Sequence, residues 1–126
     1  MTRIALVEDN LLFRDAFKSA LLQRFPRLEI DEAADEDQAL WLAEVFQPDL
    51  IFMDISLRHG NGLNVTKAVK SSRAHTVIVI LTSHDLPEYR SRCQQCGADH
   101  FFPKSTPVEE LLALVEKLIC PHNGVH

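Results

Sequence analysis

The stretch that decides the fold of this chain is Leu50-Ile51-Phe52-Met53-Asp54, in which four apolar residues run straight into a carboxylate. A second apolar run, Val77-Ile78-Val79-Ile80-Leu81, is followed directly by Thr82. Neither run alternates between apolar and polar residues, so both indicate strands buried on both faces of a parallel sheet. Because parallel strands end at one edge of the sheet, the polar residues that follow these runs are expected to lie together.

Five strand-like runs alternate with five helical patterns along the chain. The strand-like runs are residues 3–7, 28–33, 50–53, 76–81 and 100–102. Repeated strand–helix units favour an α/β fold with a doubly wound parallel sheet and right-handed crossovers. One domain is therefore expected over residues 1–120, followed by a flexible C-terminal tail at 121–126.

Capping residues set the expected bounds of the helices. The second helix is predicted to start at Asp35, with Gln38 completing a capping box, and to end at Pro48. The fifth is predicted to start at Thr106, with Pro107 in its first position. Apolar stripes at helical spacing are predicted to be Phe13, Ala16, Phe17, Ala20 and Leu21 in the first helix, Ala39, Leu42, Ala43 and Phe46 in the second, Val65, Ala68 and Val69 in the third, and Val108, Leu111, Leu112, Val115, Leu118 and Ile119 in the fifth.

The composition of the chain excludes several classes of protein. The 126 residues include 13 basic and 18 acidic side chains, for a net charge of −5. This charge argues against nucleic-acid binding by the chain itself, which requires a basic surface. No apolar run approaches the roughly 20 residues of a membrane span, and no signal peptide is recognisable, so a cytoplasmic location is expected.

The cysteines form a C-x-x-C pair at Cys93 and Cys96, with a third at Cys120. An odd count does not suggest a disulfide scaffold. The pair lies within the fourth helical pattern, whereas redox motifs of this kind lie where a strand meets a helix. We interpret both as small buried hydrophobic residues, with a zinc site that uses His84 and His100 as the less favoured alternative.

Five side chains with complementary chemistry follow the predicted strands. Glu8 and Asp9 follow the first strand, Asp54 the third, Thr82 the fourth and Lys104 the fifth. Clustered carboxylates repel one another unless a cation lies between them, and a ligand set of oxygen alone suits Mg²⁺ or another hard divalent ion. The ammonium and the hydroxyl can hold phosphoryl oxygens, and a carboxylate can become an aspartyl phosphate. Taken singly, each residue is an ordinary cap, turn or surface residue, and only their joint placement indicates a site.

These residues lie in segments that resemble the receiver domain of two-component response regulators, over nearly the whole chain. The resemblance implies a flavodoxin-like (βα)5 fold with strand order 2-1-3-4-5. The matching segments are Leu6-Val7-Glu8-Asp9-Asn10, Phe52-Met53-Asp54-Ile55, Gly62, Leu81-Thr82-Ser83, Gly97-Ala98 and Phe102-Pro103-Lys104-Ser105.

The resemblance also implies the chemistry of the site. Asp54 is expected to be phosphorylated, with Lys104 assisting catalysis. Glu8, Asp9 and Asp54 are expected to bind Mg²⁺ or Mn²⁺, and the backbone carbonyl of Ser56 to complete the metal site. The phosphoryl donor would be a sensor histidine kinase or a phosphotransfer protein, and the chain would catalyse its own phosphorylation and dephosphorylation while acting mainly as a signalling switch.

The resemblance further implies a switch and a surface that it controls. Thr82, which also assists catalysis, and Phe101 match the switch positions. They are expected to remodel the face formed by helix 4, strand 5 and helix 5, with a possible phosphorylation-dependent homodimer there. Ser56 and His84 match the positions that tune the rate of dephosphorylation.

The chain departs from the family pattern at three positions. Arg58 and Ser105 stand where the family often has proline, so a cis peptide bond after the lysine is not dictated by proline. The switch aromatic is Phe101 rather than tyrosine and therefore lacks a hydroxyl group.

Several alternatives to a phosphorylated receiver remain open at this point. The chain is interpreted as a stand-alone receiver or the receiver part of a DNA-binding regulator, with no membrane or direct nucleic-acid contact of its own. The main alternative is a degenerate receiver-like interaction module that acts without phosphorylation. A haloacid-dehalogenase-type phosphatase would carry a second aspartate where Ser56 stands. A flavodoxin-like electron carrier would need a phosphate-binding loop, where Glu8 and Asp9 would repel the phosphate.

Overall fold

The computed structural model describes residues 2–83 and 87–119 of the chain. Within these residues, each strand boundary lies within one residue of its predicted position. The elements are β1 (Arg3–Val7), α1 (Leu11–Arg24), β2 (Glu29–Ala33), α2 (Glu36–Phe46), β3 (Leu50–Met53), α3 (Gly62–Ser72), β4 (Val77–Thr82), α4 (Pro87–Gln95), β5 (His100–Pro103) and α5 (Val108–Ile119).

The strands form one parallel sheet in the order β2-β1-β3-β4-β5, which confirms the predicted topology. Val7 of β1 is paired with Met53 of β3, and Met53 is paired in turn with Ile80 of β4. On the far side of β4, Thr82 is paired with Pro103 of β5. This register brings the residues that follow β1 and β3 to the same edge of the sheet.

Apolar layers cover both faces of the sheet. On one face, α2, α3 and α4 pack over alternate strand residues that include Met53 and Ile80. On the other, α1 and α5 pack over residues that include Phe52 and Leu81. Because successive strand residues point to opposite faces, the two apolar runs supply both layers at once, as expected for strands covered on both sides.

The ends of α2 differ in detail from the predicted capping box. The Asp35 carboxylate accepts a hydrogen bond from the Gln38 backbone N at 2.9 Å, as predicted. The Gln38 side chain, however, accepts from the Ala34 backbone N at 2.8 Å rather than from Asp35. The helix ends because Gln47 adopts a left-handed conformation with φ of +51°, one residue before Pro48.

Several of the predicted inward positions were wrong. Ala16, Ala68 and Val108 are exposed, whereas the half-buried Phe46 packs against the core as predicted. In α3 the buried position is taken by Thr66, whose hydroxyl donates to the Gly62 carbonyl at 2.8 Å. A satisfied hydroxyl can be buried at little cost, so the apolar pattern missed Thr66 although it placed Val65 and Val69 correctly in the core.

The cysteine pair packs as the sequence suggested. Cys93 is the buried residue of α4, and Cys96, just after that helix, is half-buried against the same apolar cluster. Burial raises the pKa of the Cys93 thiol to about 11, which disfavours the reactive thiolate. Residues 84–86 and 120–126, which include His84 and Cys120, lie outside the described residues.

None of the helices in the described part of the chain has the length and apolar composition that a membrane span requires.

Candidate functional site

The two buried carboxylates of the site are held by continuations of the sheet's hydrogen bonding. Asp54 directly follows β3, and its backbone N donates to the Val7 carbonyl at 2.9 Å. Glu8 directly follows β1, and its backbone N donates to the Ala33 carbonyl at 2.9 Å. Each residue is only 5% exposed. The ladder therefore fixes both side chains at one edge of the sheet, with little freedom to separate.

Asp9 completes a cluster of three carboxylates. One ligand oxygen from each of Glu8, Asp9 and Asp54 lies within 4.8 Å of the other two, and Asp9 is the exposed member. Such a set fits a hard divalent cation such as Mg²⁺, because all the donors are oxygen and their charges repel without one. Among the described residues, this is the one group of acidic, histidine or cysteine side chains with metal-binding spacing.

Lys104 contacts the two buried carboxylates of the cluster. Its Nζ is 2.8 Å from Glu8 Oε1 and 3.1 Å from Asp54 Oδ2. Its backbone N donates to the Thr82 carbonyl at 2.8 Å, which ties the loop after β5 to β4. The ring of Phe13 lies 4.9 Å from Nζ, close enough for a cation–π contact. The lysine therefore bridges the two buried carboxylates.

Burial and charge act against each other within this cluster. The pKa of Glu8 is raised to about 7, mainly by burial and also by the charge of Asp54, although the hydrogen bond from Lys104 acts to lower it. Burial lowers the pKa of Lys104, but its contacts with Glu8 and Asp54 outweigh that effect and raise the pKa above its ordinary value of 10.5. Near neutral pH the lysine thus carries its charge while Glu8 is close to its point of protonation.

The remaining predicted site residues occupy different positions around the cluster. Thr82 is the last residue of β4 and is fully buried. Ser56 is exposed and forms an isolated antiparallel bridge with Asn61. Phe101 is half-buried, and the Arg90 guanidinium carbon lies 4.5 Å from the centre of its ring. The structure therefore brings together the carboxylates and the lysine, with Thr82 beneath the lysine loop, while Ser56 and Phe101 lie in the surroundings.

Gly62 has a role that sequence reasoning missed. A Cβ atom at this position would lie 1.9 Å from the Asp54 carbonyl oxygen, far inside van der Waals contact. The Gly62 backbone N also donates to the Ile55 carbonyl at 2.8 Å. The N-terminus of α3 is therefore packed directly on the backbone that carries Asp54. Gly62 was noted only through the family resemblance, because nothing in its local sequence indicates the contact.

Arg14 is a second residue that the sequence did not single out. Its Nη1 donates to the Glu8 carbonyl at 2.9 Å, and its Nε contacts Glu32 Oε1 at 3.0 Å. Asn10 caps α1 and donates from its backbone N to Glu8 Oε2 at 3.0 Å. These contacts orient both the main chain and the side chain of Glu8. The available signal was weak: Arg14 lies one helical turn after the capping residue and so faces the same loop.

The fold and the site together define an α/β domain with an acidic pocket beyond the carboxyl ends of β1 and β3. The family model for the response regulator receiver domain matches residues 4–116. The chain therefore belongs to the family of response regulator receiver domains.

Curated relatives are consistent with this assignment. The transcriptional regulatory protein YxjL of Bacillus subtilis is 33% identical over 110 residues, which cover 87% of this chain and 50% of the relative. The oxygen regulatory protein NreC of Staphylococcus carnosus is 32% identical over 114 residues, covering 90% of this chain and 52% of the relative. The chain thus spans about half the length of these relatives.

Solved structures show the same architecture. A CheY-like receiver domain protein from Methanospirillum hungatei superposes with a TM-score of 0.86 at 25% identity, covering 94% of each chain. A LuxR-family two-component response regulator from Aurantimonas superposes with a TM-score of 0.84 at 28% identity, covering 96% of this chain and 87% of the other.

Proposed function

We propose that this receiver domain accepts a phosphoryl group on Asp54. The observation that carries the proposal is the contact between the buried Asp54 carboxylate and Lys104 Nζ at 3.1 Å, within a cluster that also contains Glu8 and Asp9. A carboxylate held beside a fixed cation is positioned to attack a phosphoryl group whose charge that cation neutralises.

The acidic cluster would hold Mg²⁺ or Mn²⁺. Glu8, Asp9 and Asp54 would supply carboxylate oxygens, and the backbone carbonyl of Ser56 would complete the protein's share of the ligands. When bound, the ion supplies positive charge to the transferring phosphoryl group and removes the repulsion among the carboxylates. The all-oxygen donor set supports this assignment.

The phosphoryl transfer itself requires little of the protein beyond position and charge. An Asp54 oxygen attacks phosphorus in a phosphohistidine of a sensor kinase or phosphotransfer protein. The new phosphorus–oxygen bond forms as the phosphorus–nitrogen bond breaks, and the electron pair returns to the departing imidazole. Lys104 would release Glu8 and hold a phosphoryl oxygen, and the Thr82 hydroxyl would hydrogen-bond another.

The coupling of phosphorylation to a surface would run through Thr82 and Phe101. A phosphoryl group that draws the Thr82 hydroxyl and the Lys104 loop towards it changes the space beside Phe101, which lies in the neighbouring strand β5. We expect the face formed by α4, β5 and α5 to respond, as a homodimer contact or as a site for a downstream protein. In a longer regulator, control of transcription would be the output of this change.

The lifetime of the phosphorylated form would depend on the residues that flank the path of the hydrolytic water. Ser56 is exposed beside Asp54 and can hydrogen-bond that water. His84 remains a proposed tuning residue from the sequence alone and lies outside the described residues. Its ordinary pKa near 6.5 would make any such effect depend on pH close to neutrality.

The test is phosphorylation by acetyl phosphate, followed by intact-mass measurement. The wild-type chain should gain one phosphoryl group in the presence of Mg²⁺ and none after chelation. Asp54→Asn should abolish the gain, whereas the control Asp15→Asn, which removes an exposed carboxylate from α1, should not change it. Undiminished modification of the Asp54→Asn protein would refute the assignment of the acceptor.

A second measurement tests the switch surface. Hydrogen exchange before and after addition of beryllofluoride should report altered protection in α4, β5 and α5. Phe101→Ala should retain phosphorylation of Asp54 but reduce those changes. Altered protection confined to α2 would contradict the proposed route.

A further inference from the structure

A groove between α2 and α3 is a surface feature that the phosphoryl chemistry does not use. It encloses about 360 Å³, and its floor includes Ala43, Ala68 and Val69. Glu44 of α2 and Arg73, which caps the end of α3, lie along the same groove. The groove lies on the sheet face covered by α2, α3 and α4, away from the α1–α5 layer.

A large aromatic side chain projects beside this groove. Trp41, the only tryptophan of the chain, lines it and is 65% exposed. Val45, one helical turn further along α2, is 56% exposed. Adjacent exposed apolar residues of this size, beside a groove with an apolar floor, are typical of an interaction surface. The small exposed side chain of Ala68 on α3 leaves room opposite Trp41.

The two helices that form the groove carry opposite charges. The charged residues of α2 are all acidic: Glu36, Asp37 and Glu44. Those of α3 are Lys67 and Lys70, and Arg73 follows directly. Lys70 is already paired with Asp99 at 2.9 Å. Within the described part of the chain, Glu44 and Arg73 form no ion pair. Of these charged residues, Glu44 and Arg73 line the groove, so it has an acidic rim at Glu44 on the α2 side and a basic rim at Arg73 on the α3 side.

We propose that this face binds a second copy of the chain. A two-fold axis parallel to the groove would place α2 of one copy over α3 of its partner. Trp41 would then cover Ala68 across the interface, and Glu44 would lie opposite Arg73, with each contact made twice. The surface involves none of the residues that we assign to phosphorylation, so the proposal stands apart from the proposed function.

The charges beside the groove favour a second copy of the chain over a uniformly charged partner. A uniformly charged partner would be attracted to one rim of the groove and repelled by the other. A copy related by the two-fold axis matches both rims at once, because each helix meets the helix of opposite sign. The same face on two copies is thus complementary to itself.

The first test measures self-association of the 126-residue chain by sedimentation from micromolar to millimolar concentration. We expect a monomer–dimer equilibrium, accompanied by a blue shift of the Trp41 emission as the dimer forms. Trp41→Ala should weaken association by about tenfold or more. Leu12→Ala is the matched control, because it removes an exposed apolar residue, 83% accessible, from α1 on the other face of the sheet. Its dissociation constant should equal that of the wild type.

The second test exchanges charges across the proposed interface. Glu44→Arg alone would place two arginines opposite each other, and Arg73→Glu alone would place two glutamates together, so each variant should remain monomeric. An equimolar mixture should form a heterodimer, since every contact again joins opposite charges. Both residues are at the surface, and circular dichroism should show both variants folded.

Specific results would overturn the proposal. A wild-type chain that remains monomeric up to millimolar concentration would refute it. Association that Trp41→Ala and Leu12→Ala change equally would place the contact elsewhere on the molecule. Separate variants that stay monomeric when mixed would rule out the two-fold arrangement, even if the wild type dimerises.

Discussion

The buried carboxylate of Glu8 should make the stability of the metal-free protein depend on pH. In the unfolded chain this group is solvated, with a pKa near 4.5, whereas burial in the native site raises its pKa to about 7. The native state therefore binds more protons than the unfolded state between these two values. The free energy of unfolding consequently falls as the pH rises from about 4.5 to 7. Below about pH 4.5 none of this stability has been lost, and well above pH 7 all of it has been lost.

The size of the effect follows from the difference in pKa. A rise from 4.5 to about 7 corresponds to about 3 kcal/mol in full. Between about pH 5 and about pH 8, Glu8 should contribute about 2–3 kcal/mol of that loss. Glu8→Gln removes the titration but keeps the size of the side chain. Its free energy of unfolding, relative to the wild type, should therefore rise by about 2–3 kcal/mol across the same pH range.

Urea unfolding in the presence of a chelator measures this difference directly. Wild type, Glu8→Gln and the control Asp15→Asn are compared at both pH values. Asp15 is an exposed carboxylate on α1, so its removal should leave the pH dependence as it is in the wild type. Saturating Mg²⁺ should stabilise the wild type more at the higher pH than at the lower, because the ion binds the ionised cluster and competes with the proton.

The reasoning would be wrong if Glu8→Gln and the wild type showed the same dependence of stability on pH. It would also be wrong if the wild type gained stability relative to the variant as the pH rose. That result would mean that Lys104, 2.8 Å away, holds Glu8 ionised and that the ion pair dominates over burial.

Three further substitutions test the packing of the protein, two of them at the site and one in the core. Gly62→Ala should destabilise the protein by about 1–3 kcal/mol and reduce acetyl-phosphate labelling of Asp54, because the added methyl group displaces the backbone of that residue. Urea unfolding measures the first effect, and intact-mass measurement the second. Lys104→Ala should destabilise the metal-free protein by about 3 kcal/mol, because two buried carboxylates lose their cation. Mg²⁺ should restore much of this stability. The control Lys117→Ala, at an exposed position, should have little effect in the same urea unfolding experiments. Leu21→Ala, at a fully buried position of α1, should cost about 2–5 kcal/mol in urea unfolding without changing the pH dependence, and a cost below 1 kcal/mol would contradict the assigned packing.

The fold class could be predicted from the sequence because the strongest signals in the sequence are local. Uninterrupted apolar runs such as residues 50–53 have no solvent-facing side, which identifies buried parallel strands before any partner is known. Chain connectivity and the right-handed crossover then limit the topology. The same logic located the site residues, because whatever follows such strands must lie at one edge of the sheet. Asp54 and Lys104 could therefore be grouped although 50 residues separate them in the chain.

Helical phase was less well determined by the sequence. The pattern assigned Ala68 to the core and overlooked Thr66, since hydrophobicity alone does not reveal that a hydroxyl finds its acceptor within its own helix. Val108 was likewise assigned inward, yet it lies in the first turn of α5 and is 39% exposed. An apolar stripe indicates which face is buried only where neighbouring elements cover its whole length.

Only the tertiary structure shows the contacts between segments whose sequences share no recognisable pattern. The close approach of Gly62 to the Asp54 carbonyl, the hydrogen bond from Arg14 to the Glu8 carbonyl, and the groove beside Trp41 each depend on how two elements pack. Such packing is set by the sum of many weak contacts over the whole core, so no single stretch of sequence specifies it. The sequence determined which groups meet at the sheet edge, and packing determined their distances, their burial and hence the pKa of Glu8.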